Sequence, residues 1–487
     1  MKIAQRRPIV SIFSVILFCV VSSGLFALTP QSALASSECS VIPKPNIGYE
    51  IPINPGYSSS CESINFGDFA WDAFVALNWP AKKNGKPLRD TMIGTAPNKT
   101  RVWEYYESPE QVFQDPHERL KEESPLPLMR LSEFGLQFGS NEKLSKSNDI
   151  DSSIFGEGLN PLVDRAGNYI LNEIRMNPVE AKQIVANGWN TVEGLKPFAT
   201  KRKPFELMCS DRFPRGTYPQ ESDRASVYDN NIPCSVENGN NTVGTIEIKA
   251  SWMVLPEDKK DLPSWVNPSE YYTTTKSLYV RELATEKATT KVTVPVALVG
   301  FHLLHKTSQF GWVWSTFEHI KNAPYDKDLS ETERYNIHYN LYDPDCQGYC
   351  EVNTPMATPP YLWRPKFPHA VTAKGEPQTP SQITRLVPIR DYAETLNEKW
   401  QAALPSVWKN YQLIGVQWLQ NPYIPYQALR NVQPGKLANP TLEPYVQKTE
   451  IGSCITCHTA AKLPIDSPEP IKADFSFLLK YAKRSSH

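Results

Sequence analysis

A chain of 487 residues with 51 Lys+Arg against 52 Asp+Glu carries a formal charge of −1, which leaves no broad basic surface for nucleic acid. Hydrophobic residues make up 40%, enough for a packed core and too many for a disordered chain. The 43 prolines against 23 glycines point to stiff, irregular connections and argue against a helical bundle.

At the N-terminus Lys2, Arg6 and Arg7 precede an apolar run from Ile9 to about Leu28, which is followed by Ala33-Leu34-Ala35. This is the layout of an export signal, so residues 1–35 are expected to be removed after Ala35, leaving a soluble protein in the periplasm or otherwise outside the cytoplasm. The run is nearly long enough to span a bilayer, and if retained it would tether the protein to a membrane. Removing three cations shifts the net charge to about −4.

The segment Phe69–Leu77 is apolar almost all round and reads as a buried helix capped by Asp68 and stopped by Pro80. Asn177-Pro178-Val179-Glu180 opens a second helix, with Pro178 in its first turn, Glu180 completing a capping box and Gly188 ending it. Ala181, Ile184, Val185 and Trp189 form its inward stripe. From Thr245 to Val254 apolar and polar residues alternate, predicting one half-buried strand. Val292–Leu304 is apolar on both alternating faces and predicts a central strand with a start or bulge at Pro295. Tyr411–Trp418 predicts another strand.

After Pro388, Ala393, Leu396, Trp400 and Leu404 lie at helical spacing, and Phe475, Leu478, Leu479 and Ala482 suggest a last helix capped by Asp474. Thr354–Pro380 is expected to be a long loop and Asn431–Pro440 a hinge. The expected class is α+β: a β-rich central core with peripheral helices over residues 36–435, and a C-terminal helical segment, residues 436–487, packed on that body.

That last segment holds Cys454-Ile455-Thr456-Cys457-His458. In an exported protein such a run takes haem c covalently: two thiols add across the vinyl groups and the adjoining imidazole becomes the proximal iron ligand. Chance would supply the run roughly 0.003 times in a chain of this composition. A zinc site would want a second ligand pair at short spacing, and a thioredoxin-like motif would open a βαβ unit. Neither context is present, so one covalent haem is expected on Cys454, Cys457 and His458. Cys39, Cys61, Cys209, Cys234, Cys346 and Cys350 are then available for structural disulfides; local spacing favours Cys346 with Cys350, then Cys39 with Cys61 and Cys209 with Cys234, among fifteen pairings.

Roughly 30 residues follow His458, and apart from the terminal His487 they contain no methionine or histidine. A sixth iron ligand must therefore come from upstream. Met253, Met356, His302, His305 and His319 are the leading candidates, ahead of Met92, Met129, Met176, Met208, His117, His338 and His369. The stretch from Gly300 to Pro324 brings together His302, His305, Lys306, Trp312, Trp314, Glu318 and His319. On a strand His302 and His305 would point to opposite faces, so at most one can reach the haem. His302 or His319 would serve as distal ligand or acid/base, Lys306 or Lys249 as a charge stabiliser, and Trp312 or Trp314 as an electron relay. Each also has an ordinary reading, as a buried core residue or part of a solvated face. Glu247 and Lys249, two apart on one strand face, fall under the same choice, and Asp343 and Asp345 read as turn residues.

The runs Trp71–Pro80, Ile246–Trp252, Trp312–His319 and Ser453–His458 resemble a group of secreted bacterial proteins described as cytochrome c family proteins. The resemblance extends over most of the mature chain and implies haem attachment at Cys454, Cys457 and His458, with no particular reaction attached. Three readings of function follow: a monohaem electron carrier with a periplasmic redox partner, a haem oxidoreductase of peroxidase or oxygenase type with an open sixth position, or a binding scaffold with a haem-bearing tail.

Overall fold

The computed structural model describes residues 39, 48–56, 61–113, 129–130, 161–201, 204–210, 243–283, 288–330, 337–422, 426, 431–447 and 452–484. The expected export signal, His117, Cys234 and His487 lie outside them. Among the described residues no helix is long and apolar enough to cross a membrane. Residues 41–487 form one compact unit.

Among the described residues its α-helices are α1 (Glu62–Leu77), α2 (Pro109–Phe113), α3 (Pro178–Ala186), α4 (Val192–Lys201), α5 (Asp391–Ala403) and α6 (Cys454–His458). The strands are β1 (Met129–Arg130), β2 (Leu171–Met176), β3 (Ile246–Val254), β4 (Thr273–Arg281), β5 (Ala288–Thr307), β6 (Gly311–His319), β7 (Leu362–Trp363), β8 (Ala370–Val371), β9 (Tyr411–Leu419) and β10 (Val432–Gln433). The class is α+β, as the sequence predicts.

The 20-residue β5 organises the main sheet because it is long enough to serve three neighbours. β3 runs antiparallel along one edge, while β4 and then β6 share the other. β2 extends the sheet past β3, β9 and β10 extend it past β6, and the short β1 pairs in parallel with β4. β7 and β8 make a separate small ladder inside the expected loop of 354–380. Pro295 starts no strand. It sits inside β5, one residue beyond the last pairing with β3, where that edge asks for no further N–H; its carbonyl accepts from Leu255.

The two faces of the sheet are covered differently. On one, Phe301, Leu303, Val313 and Phe317 pack against α1 and α5 through Phe74, Trp71, Leu396 and Trp400. On the other, Leu304, Trp312 and Trp314 pack against the C-terminal segment through Ile455, Ala461, Phe475 and Leu479. Both layers exclude water, so β3 is buried along nearly its whole length rather than half-buried as its alternation suggests. Its polar residues face the C-terminal segment rather than solvent.

Other expectations are corrected. α1 begins at Glu62, and Asp68 lies inside it instead of capping it. In α3 the Asn177 side chain accepts from Glu180 N at 3.1 Å, a cap that stabilises by about 1 kcal/mol, but the Glu180 carboxyl does not return to close a box. The expected last helix reduces to the 3₁₀ turn Leu478–Tyr481, because Asp474 and Phe475 take left-handed φ values of 52° and 66° and break the helical path. The expected hinge at 431–440 is a packed connection, with Val432 and Gln433 paired to β9 and Leu437, Ala438 and Asn439 buried.

Cys346 and Cys350 are disulfide-bonded with an S–S distance of 2.02 Å. Cys39, Cys61 and Cys209 are also in disulfides.

Candidate functional site

α6 is a single five-residue turn, Cys454–His458. It forms because the Ser453 hydroxyl caps Thr456 N at 3.3 Å and because Ile455 supplies a fully buried anchor. Gln417 on β9 ties the turn to the sheet, donating to Ser453 Oγ at 3.1 Å and accepting from Ile455 N at 3.3 Å. Cys454 and Cys457, three apart, leave the turn on one side, and both are thiols rather than half-cystines.

His458 is fixed through one nitrogen. Its Nδ1–H donates to the Phe475 carbonyl at 2.6 Å, which defines the tautomer and leaves Nε2 as the basic nitrogen. The ring stands edge-on to Trp314 at 5.8 Å and to Phe477 at 5.0 Å. Surrounding protein lowers the imidazole to about 4, while His302 and Lys249 push in the same direction and Glu443 opposes. Cys454, Cys457 and His458 nonetheless keep part of their surface accessible, the signature of groups lining a recess rather than a solid core.

The opposite wall comes from the sheet. Lys249 on β3 and His302 on β5 are directly paired, so their side chains leave the same face. His302 Nε2 lies 2.5 Å from Glu443 Oε1, and the backbone N–H of Asn439 holds the other Glu443 oxygen at 3.0 Å. Burial pushes the Glu443 carboxyl up, but His302 and Lys249 outweigh it and leave it lowered. Burial also lowers the Lys249 ammonium, against the raising influence of Glu443 and of Cys457. The Cys454 thiol is raised well above its ordinary value, first by burial and then by Glu443 and Cys457. Lys249, His302 and Glu443 therefore face the same recess as the two thiols and His458.

This donor set fits a covalently held haem: two thiols and one imidazole on a single turn, with a free basic nitrogen. Trp314 Nε1–H, buried beside His458 with no acceptor among the described residues, and the Lys249 ammonium are donors suited to an anionic group. Among the described residues no three His, Cys, Asp or Glu converge as a metal-ion cage.

The sequence candidates divide accordingly. His302 joins the site. His305 points to the opposite face, stacking on Phe69 at 5.4 Å with Nε2 at 2.9 Å from Ser210 Oγ. His319 lies five residues beyond Trp314 along β6, roughly 17 Å away. It is buried against Tyr271 and the Glu270 carbonyl, so it is a core histidine and not a distal group. Met253 is buried in a separate cluster with Leu162, Val266 and Ala297 and does not join the recess, and Met356 lies half-buried in coil before β7. Lys306 is not a mobile charge stabiliser: its ammonium forms a buried ion pair with Asp474. Trp312 and Trp314 are both core residues, at a ring separation of 5.7 Å, and only Trp314 reaches His458.

Nothing in the sequence marks Glu443 or Gln417, and it marks Asp474 and Phe475 only as the start of an expected helix. Glu443 stands 141 positions from its partner His302, and no local spacing marks it.

No family model, curated protein or solved structure matches this chain.

Proposed function

We propose that Cys454, Cys457 and His458 hold one covalent haem c and that the protein is an exported one-electron carrier. The observation that supports this most is the single turn that presents two thiols beside an imidazole whose Nδ1 is already committed to a carbonyl. Bound there, the haem supplies an Fe(III)/Fe(II) couple. The chain's own residues do the rest. Cys454 and Cys457 would carry the thioethers, and His458 would ligate through Nε2. Trp314 and the aromatic surround would exclude water, and Lys249 and Trp314 Nε1–H would offset carboxylate charge. The resemblance to cytochrome c family proteins and the export signal at residues 1–35 accord with this reading, which places the protein in the periplasm with a redox partner there.

A second reading, a haem oxidoreductase, is favoured by His302, Glu443 and Lys249 on the facing wall. A histidine hydrogen-bonded to a carboxylate, beside a lysine of lowered basicity, can pass a proton to a small oxidant.

Visible spectra of the purified protein, oxidised and reduced, with and without carbon monoxide, test both, beside a Cys457→Ala control. A haem band that survives denaturing extraction in the wild type and is lost or weakened in the variant is expected. A spectrum indifferent to carbon monoxide supports the carrier; a responsive one supports the oxidoreductase. Wild-type protein from a host competent in haem attachment that carries no covalent haem would end the proposal.

A further inference from the structure

The carbonyl that orients His458 belongs to an unusual piece of backbone. Asp474 and Phe475 are consecutive non-glycine residues in left-handed conformation, with φ of 52° and 66°. Aspartate tolerates this region because its short side chain can hydrogen-bond locally, whereas for phenylalanine it is an outlier that persists only where the surroundings over-determine it.

They do so here from three sides. Asp474 forms the buried ion pair with Lys306 on β5, and its carboxylate also accepts from Leu207 N at 2.8 Å. Ser476 lies close enough to Glu247 on β3 to favour its carboxylate. Phe475 itself is clasped between Tyr426, stacked at 4.9 Å, and the edge of Trp314 at 5.6 Å. The residues on both sides of Phe475 are thus tied to adjacent strands of the sheet, and its carbonyl is left pointing at His458 Nδ1.

We infer that Lys306 and Asp474 are positioning residues that hold the Phe475 carbonyl in place to set the tautomer, ring plane and donor strength of His458. A strained carbonyl that cannot relax away keeps its hydrogen bond to Nδ1–H short, and this bond raises the basicity of Nε2. The link to iron rests on the haem-attachment reading; the clamp on His458 does not.

The test uses full-length protein with ¹⁵N-labelled histidine, prepared with covalent haem and also from cells lacking haem attachment. In the wild type His458 is expected as the Nδ1–H tautomer in both forms, with slow exchange of that proton. In the haem-free protein Asp474→Asn and Lys306→Met should mix the tautomers and speed the exchange at least tenfold. In the haem-loaded protein they should raise the reduction potential by a tenfold change in the one-electron equilibrium, about 59 mV, with the thioether bonds intact. Lys306→Arg keeps the ion pair and should restore both readouts. If Lys306→Met does not fold, Asp474→Asn still decides, since asparagine keeps the acceptor for Leu207 N–H. Folded, haem-free variants with unchanged His458 tautomer and exchange would overturn the clamp. Wild-type protein that binds no haem would overturn the haem reading alone and leave the haem-free comparison standing.

Discussion

Replacing Glu180 by glutamine should flatten the fall of stability with rising pH. Glu180 is fully buried on α3, and neither of its carboxyl oxygens has a donor among the described residues. It faces Glu247, itself only 6% exposed. Burial and the Glu247 charge raise Glu180 well above the ordinary glutamate value of 4.5, and burial pushes Glu247 up to about 7. A raised carboxyl keeps its proton in the folded protein at a pH where the unfolded chain has lost it. The folded state then binds more protons, and stability falls as pH rises. Each such group contributes a slope of about 1.4 kcal/mol per pH unit above the unfolded value. Between pH 5.5 and 6.5 the wild type carries this slope from both residues and Glu180→Gln only from Glu247. The variant's loss of stability over that unit should therefore be smaller by about 1.4 kcal/mol. Glutamine fits the space and its amide can donate to Glu247, so the fold should be kept. Urea unfolding midpoints at the two pH values, converted with a common slope, read the difference directly. Parallel pH dependence in wild type and variant would refute the shared-proton account.

Two further outcomes probe other parts of the fold. His319→Gln should soften acid denaturation: burial lowers His319 to about 3, so the folded state resists a proton that the unfolded chain accepts below about 6.5. The stability it contributes is present above that value and drains as pH falls towards 3; equal urea midpoints for the two proteins at pH 4 relative to pH 6 would contradict this. Gly244→Ala should cost about 3 kcal/mol or more, because the new Cβ would stand 2.2 Å from Ser210 N and 2.5 Å from the Lys306 carbonyl, both backbone atoms. Thermal unfolding of the variant within a degree or two of the wild type would mean that this close approach is wrong.

Local chemistry was readable where the chain settles its own conformation. The limits of β3 match the alternation, the Asn177 cap opens α3 at Pro178, and the stripe Ala393, Leu396 and Trp400 is the buried face of α5. Readings failed where a distant partner competes for a side chain. Glu180 has the spacing of a capping box, but α3 lies against β3 and its carboxyl turns to Glu247 instead. The apolar pattern after Asp474 has helical spacing, but the buried ion pair with Lys306 holds the backbone in a left-handed turn. At the site, the cysteines and His458 lie within one turn and announce themselves. The facing wall joins β3, β5 and the segment around Glu443, and only the folded sheet brings these together.

The unequal covering of the sheet's two faces carries a consequence for how the protein opens. α1 and α5 bury an almost wholly apolar layer on one side, whereas the segment holding α6 packs on the other through a smaller apolar cluster, the buried Lys306–Asp474 ion pair and hydrogen bonds around a recess. The two sides should behave as separate cooperative units in hydrogen exchange, with the amides of residues 452–484 exposed by a smaller, sub-global opening than those of β5. Lesions on the two sides should then be told apart in whole cells: damage beneath α1 would lower the amount of protein, and damage beneath α6 would spare the amount and disorder the turn at Cys454–His458.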